Sequence, residues 1–159
     1  MFSFIRRRFT AARTLAALCQ AAEAEARRDG QAEPGVEHFV LAALSLPDGK
    51  ALQVFEALGA TDALLRQAIA YQYQAPLHAL GIDRGLASQS LGEAGKSRLY
   101  RAAPSGQALI QALGRERGQV LTSDKVLVAA TEQSEGVLPR ALAAMGFSLD
   151  QLRAVALAT

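Results

Sequence analysis

Apolar residues recur at steps of three and four along most of this chain, with polar residues on the other side of each turn. Phe9, Ala12, Leu15, Ala16, Cys19, Ala22 and Ala26 form one such stripe and predict a first helix over 9–28. Asp29-Gly30 ends it, because glycine takes the left-handed backbone at a helix stop. Glu33-Pro34-Gly35 opens a second helix, with proline at its first position and Glu37 near the positive pole. From Phe39 to Leu46 that helix is apolar nearly all round, so it is expected to be the central, most buried element. Pro47-Asp48-Gly49 reads as a turn. Leu52, Val54, Phe55 and Leu58 predict a third helix over 50–58, closed by Gly59. Thr61 caps a fourth, which runs through Leu64, Leu65, Ala68 and Ile69.

The pattern breaks over 71–103, where Tyr71, Tyr73, Pro76, Gly81, Gly85, Gly92 and Gly95 interrupt any long period. This stretch is expected to be a linker or a surface loop, with Leu77, Leu80, Ile82, Leu86 and Leu91 packing in part, as in a short helix. Regularity returns at Pro104-Ser105. A helix is predicted over 105–117, ending near Gly118, and another over 124–133, capped by Thr122. Ser134-Glu135-Gly136 is a turn. A short helix over 137–145 closes at Gly146, and a last one capped by Ser148 carries Leu149, Leu152, Val155 and Leu157.

The second half repeats the first. Shifted by 87 positions without a gap, 36–70 lies over 123–157. The identities are Ala42/Ala129, Ala43/Ala130, Gly49/Gly136, Ala57/Ala144, Gly59/Gly146, Leu65/Leu152 and Arg66/Arg153. Core positions stay apolar: Phe39/Val126, Leu41/Val128, Phe55/Leu142 and Leu58/Met145. The expectation is an all-α fold, one compact domain of two pseudo-symmetric four-helix repeats at about 9–70 and 104–157.

Composition agrees. Half of the 159 residues are apolar, enough for a core, and 20% are charged. A net charge of +2 is too mild to imply a nucleic-acid partner alone. The single cysteine, Cys19, can form neither an internal disulfide nor a thiolate zinc site, and sits as a buried, inert thiol among Leu15, Leu18 and Ala22. No run of 18 apolar residues occurs, and the basic start, Arg6-Arg7-Arg8, is not followed by a signal-peptide core. A cytoplasmic location with no membrane span is expected.

Pro34-Gly35-Val36-Glu37-His38-Phe39-Val40-Leu41-Ala42-Ala43-Leu44 resembles the Clp N-terminal repeat, which shows Gly/Thr-x-Glu-His before an apolar helix. Ala57-Leu58-Gly59-Ala60-Thr61 is similar to that family's Leu-Gly helix end, and Ala144-Met145-Gly146-Phe147-Ser148 is its second copy. The second copy has Asp124-Lys125 in place of Glu-His, and no ATPase module occurs in these residues. The resemblance implies a domain that recruits adaptor proteins or exposed apolar stretches of substrates for an ATP-driven unfoldase, in chaperone or proteolytic work. It places partner contacts in the groove between repeats and near the start of the first helix. By position these are Arg8, Phe9, Gln119 and Asp124. The chain is expected to be either a stand-alone adaptor or part of a larger unfoldase.

The candidates for other chemistry are thin. His38 beside Glu37 could serve as a general base, but a lone histidine at a helix start usually satisfies nearby groups; His78 reads as a loop residue. The two histidines lack any metal-ligand spacing. Gly92-Glu93-Ala94-Gly95-Lys96-Ser97 is an incomplete phosphate loop with Ser90 where the pattern needs glycine, and no GxSxG elbow occurs. No enzyme, metal or cofactor is expected. The alternative reading is a helical nucleic-acid-binding protein using Arg6–Arg8, which a steep salt dependence would reveal.

Overall fold

A computed structural model of the chain describes residues 2–79, 100–115 and 119–159, with side chains described from residue 11 onward except at positions 77 and 78. Gly81 through Gly95, the Gly92–Ser97 motif, Gly118 and the side chain of His78 therefore lie outside the described residues. The elements are α1 (Phe2–Arg28), α2 (Val36–Leu44), α3 (Lys50–Ala57), α4 (Asp62–Ala79), α5 (Pro104–Arg115), α6 (Ser123–Ala130), α7 (Val137–Ala144) and α8 (Leu149–Ala158). No strand occurs among the described residues.

All nine residues of α2 are buried, as its unbroken apolar run requires. It packs against α6, the equivalent helix of the second half, and the remaining helices are arranged around this pair. The main contacts have counterparts when the halves are exchanged, although α2 also packs on α3 and α5. α1 lies on α2 as α5 lies on α6, and α4 lies on α2 as α8 lies on α6. The outer helices cross over: α4 packs on α7, and α3 packs on α8. Burial repeats at the same shift of 87. Phe39/Val126, Val40/Leu127, Ala51/Leu138, Val54/Ala141, Phe55/Leu142, Leu65/Leu152 and Ile69/Ala156 are buried in both members of each pair.

The helix stops repeat as well. Gly59 (φ 71°) and Gly146 (φ 86°) both take the left-handed backbone after α3 and α7. Ala60 N–H donates to Phe55 O at 2.9 Å, and Phe147 N–H donates to Leu142 O at 2.9 Å. The glycine N–H groups reach Glu56 O and Ala143 O. These are two copies of one Schellman stop, in which a residue without Cβ satisfies otherwise orphaned carbonyls.

Four local expectations change. α1 starts at Phe2 rather than residue 9, because no glycine or proline interrupts 2–28. α4 continues past Ile69 through Tyr71, Tyr73 and Pro76 to Ala79. Tyr73 is held by α2, and Pro76 falls in the last turn, where its missing N–H leaves one carbonyl without its intrahelical partner. Pro34 precedes the α2 cap, Gly35, instead of occupying the first helical position. Its carbonyl instead accepts the Ala103 N–H at 3.0 Å, tying α2 to the segment before α5. Thr122 stands at the N-cap of α6 but makes no side-chain cap bond; that work falls to Asp48 of the other half.

Candidate partner-binding surface

The Glu37-His38 pair opens α2 inside a polar cluster that fastens α1, α2 and α4 together. Gly35 N–H donates to His38 Nδ1 at 3.0 Å. An accepting Nδ1 places the proton of the neutral ring on Nε2, which faces Asp29 Oδ2 at 3.4 Å. Tyr73 of α4 stacks on the imidazole, with centroids 5.8 Å apart, and its hydroxyl donates to Glu37 Oε1. Nearby, Glu25 of α1 accepts from Arg28 at 3.2 Å and from both terminal nitrogens of Arg66 in α4. That hydrogen bond to Glu25 holds the Arg66 guanidinium even above its ordinary range. His38 is 0% exposed and its one lone pair is occupied, so it positions the start of α2 and has no route to a substrate.

The start of α6 is built from both halves. Asp48, in the turn after α2, accepts the Ser123 N–H at 2.7 Å and the Ser123 hydroxyl. Ser123 Oγ in turn accepts the Ala51 N–H at 2.8 Å, so one serine is held at the first turn of α6 and satisfies that of α3. Lys50 of α3 pairs with Asp124 at 3.6 Å. The equivalent of Ser123 is Val36, which has no hydroxyl, and its N–H is taken by Ser105 Oγ at 3.2 Å. The pseudo-symmetry is thus kept by packing and broken by polar chemistry.

Of the four residues expected to contact a partner, the side chains of Gln119 and Asp124 are among those described. Gln119 is exposed, and its Oε1 accepts from Lys125 Nζ at 2.7 Å, beside Asp124. Asp124 is 14% exposed and lies at the seam between α3 and α6. Its Oδ1, like Thr122 Oγ1, is buried with no hydrogen-bond partner among the described residues. Val120, between Gln119 and the half-buried Leu121, is exposed. Arg8 and Phe9 lie on the early turns of α1, and their side chains fall outside the described residues. Ser123, Asp48, Ser105 and Tyr73 join distant segments, a role the pattern does not assign to them. Their hydroxyls and carboxylate act across long sequence separations, which no local spacing announces.

Cys19, expected to be buried, is only half-buried on α1, and the Tyr100 hydroxyl reaches its backbone carbonyl at 3.5 Å. Burial raises the thiol pKa, against a smaller opposing pull from Tyr100. The Tyr100 phenol is raised too, again chiefly by burial. No group of three or more potential ligands among the described residues could hold a metal. No single described helix is long and apolar enough to cross a membrane.

The described residues form an all-helical domain of two interlocked four-helix units, a tandem-repeat module. The Clp repeat (R) N-terminal domain family matches residues 9–103, more than half of the chain. The chain belongs to that family, a non-catalytic class of Clp-type N-terminal modules generally engaged in protein interactions. No curated protein sequence matches the chain.

Proposed function

We propose that this chain is a recruitment module, one that binds adaptor proteins or unfolded polypeptide substrates for an ATP-dependent Clp unfoldase. The family match over 9–103 carries this reading. The surface leading into α6 supports it. There, exposed Val120 and half-buried Leu121 offer an apolar contact, and Gln119 and Asp124 stand on its polar rim. Apolar anchors supply most of the affinity of such contacts, and rim charges tune selectivity. Thr122 Oγ1 and Asp124 Oδ1 are the polar atoms a partner's donor would satisfy after a small side-chain rotation. Arg8 and Phe9 of α1 are the two further contacts that the family likeness implies. We take the repeats to span about 9–70 and 104–157, joined by 71–103, which opens with the last turns of α4. The working location is the cytoplasm.

The test is fluorescence anisotropy with labelled, reduced and carboxymethylated α-lactalbumin, a permanently unfolded chain. The wild-type protein binds it. Gln119→Ala and Asp124→Asn each weaken binding several-fold while circular dichroism stays unchanged. Binding unaffected by both substitutions would remove this surface from the account. Preferential binding of duplex DNA with a steep salt slope would replace the reading with the nucleic-acid one.

A further inference from the structure

We infer that the N-terminal half of α1 is a docking seam for an acidic, heptad-patterned helix of a partner protein. This rests on the recruitment reading above and names the chemistry of the partner. α1 has 27 residues, about 40 Å at 1.5 Å per residue, whereas the α2 helix it packs on has nine, about 13 Å. Burial on the described part of α1 begins at Leu18; every residue from 11 to 17 is exposed or half-buried. Leu18, Ala22, Glu25 and Ala26 mark the side facing the core, and exposed Ala12 and Ala16 lie off that side.

In helical register Phe2, Ile5, Phe9, Ala12 and Ala16 fall on one line, at steps of three, four, three and four. That alternation is the a/d seam of a coiled coil. The positions flanking such a seam, e and g, choose the partner through charge. Here they are Arg6 and Arg13 on one edge and Arg8 and the half-buried Leu15 on the other. No acidic residue precedes Glu23, so the seam is cationic along its length. Three arginines also crowd the first two turns of α1, where the positive helix pole disfavours them.

These positions select the occupant. A second copy of this chain in parallel would set Arg8 against Arg13 of its partner, which like-charge repulsion opposes. Duplex DNA would neutralise the arginines but has no use for the Phe2, Ile5, Phe9 line. A lipid surface gains little from Ala12 and Ala16, whereas small residues let a partner helix approach closely. A helix with glutamates at its flanking positions satisfies both the apolar line and the charges through arginine–carboxylate bonds.

The probe is a fluorescein-labelled peptide of about three heptads with Ile at a, Leu at d and Glu at e and g; its counterpart carries Lys at e and g. Anisotropy with the full chain should show binding of the Glu peptide and at least tenfold weaker binding of the Lys peptide. Raising the salt should weaken the complex several-fold, because salt screens attraction between arginines and glutamates. The R6Q/R8Q/R13Q variant should lose at least tenfold in affinity with its circular dichroism and melting unchanged. Equal binding of the two peptides, or an unaltered triple variant, overturns the inference. So does a triple variant whose lost binding is to phosphatidylglycerol vesicles or duplex DNA while the Glu peptide never binds. If the Glu peptide fails but unfolded α-lactalbumin still binds through Gln119 and Asp124, the seam falls and the recruitment reading stands. If both fail, the recruitment reading falls with it.

Discussion

Replacing Gly106 by alanine tests whether the join between the halves is as close as the structure shows. Gly106 lies in the first turn of α5, and a Cβ there would meet Pro34 O at 2.4 Å, Phe39 Cε2 at 3.0 Å and Ala102 Cβ at 3.1 Å. The first contact is with backbone, which cannot swing aside. Helix propensity alone favours alanine over glycine by about 1 kcal/mol. Overpacking of this kind costs about 1–3 kcal/mol. Backing α5 away would also stretch the Ala103 N–H to Pro34 O bond (3.0 Å) and the Val36 N–H to Ser105 Oγ bond (3.2 Å). Each of those bonds is worth about 1 kcal/mol. Taking about 2 for the clash and about 1 for weakened bonds, less about 1 for propensity, leaves a net loss of about 2 kcal/mol. For a chain of this size that lowers Tm by about 4–8 °C. The control is on the same helix: a Cβ at Gly114 would meet nothing within 4 Å among the described residues. Gly114→Ala should therefore be neutral or stabilising by up to about 1 kcal/mol. Urea melts and calorimetry on the two variants read opposite signs. Gly106→Ala proving as stable as Gly114→Ala would show that α5 does not sit against Pro34 and Phe39 as described.

Other outcomes follow from the polar joins. Asp48→Ala strands the Ser123 N–H and hydroxyl and should cost about 2 kcal/mol in urea unfolding. Ser123→Ala should cost a similar amount, and the double variant should fall short of the sum by about 1 kcal/mol, since both act in one network; strict additivity would deny the network. His38→Ala should destabilise by about 3 kcal/mol, combining a lost ring and an orphaned Gly35 N–H. His38→Gln should recover about 1 kcal/mol of that, because glutamine at this helix position can reach back to the cap N–H. Burial raises the folded-state pKa of both Cys19 and Tyr100. The folded protein then holds these protons longer than the unfolded chain, so stability is intact below pH 9 and declines as pH climbs above it. Tyr100→Phe should flatten that alkaline decline in a pH series of thermal melts; an identical slope in the variant would refute the assignment. At pH 7.5 the same thiol should react with Ellman's reagent more slowly in the folded protein than in 6 M urea.

The sequence was most informative where one residue type answers one local demand. The two Schellman stops were readable because only Gly59 and Gly146 tolerate the backbone those stops require. The burial of α2 was readable because Phe39 to Leu44 leaves no polar side to face water. The continuation of α4 was not, because Tyr71, Tyr73 and Pro76 are poor helix residues taken alone. It is tertiary contact, Tyr73 on His38 and Glu37, that carries the helix onward. The cap of α6 was misassigned for the same reason. Thr122 has the right chemistry in the right place, yet a carboxylate 75 positions away reaches Ser123 first. Gln119 and Asp124 could be placed only through family likeness, and the structure puts them beside Lys125 and Lys50.

The crossing of α4 onto α7 and of α3 onto α8 means that neither half closes its interior alone. A ribosome that has released only α1 to α4 has released helices that can gather on α2, while the sides of α3 and α4 that meet α8 and α7 stay open. Covering those sides waits for the second half to emerge. Once formed, the clasp should hold even when the covalent thread between α4 and α5 is cut, leaving two fragments that travel as one particle.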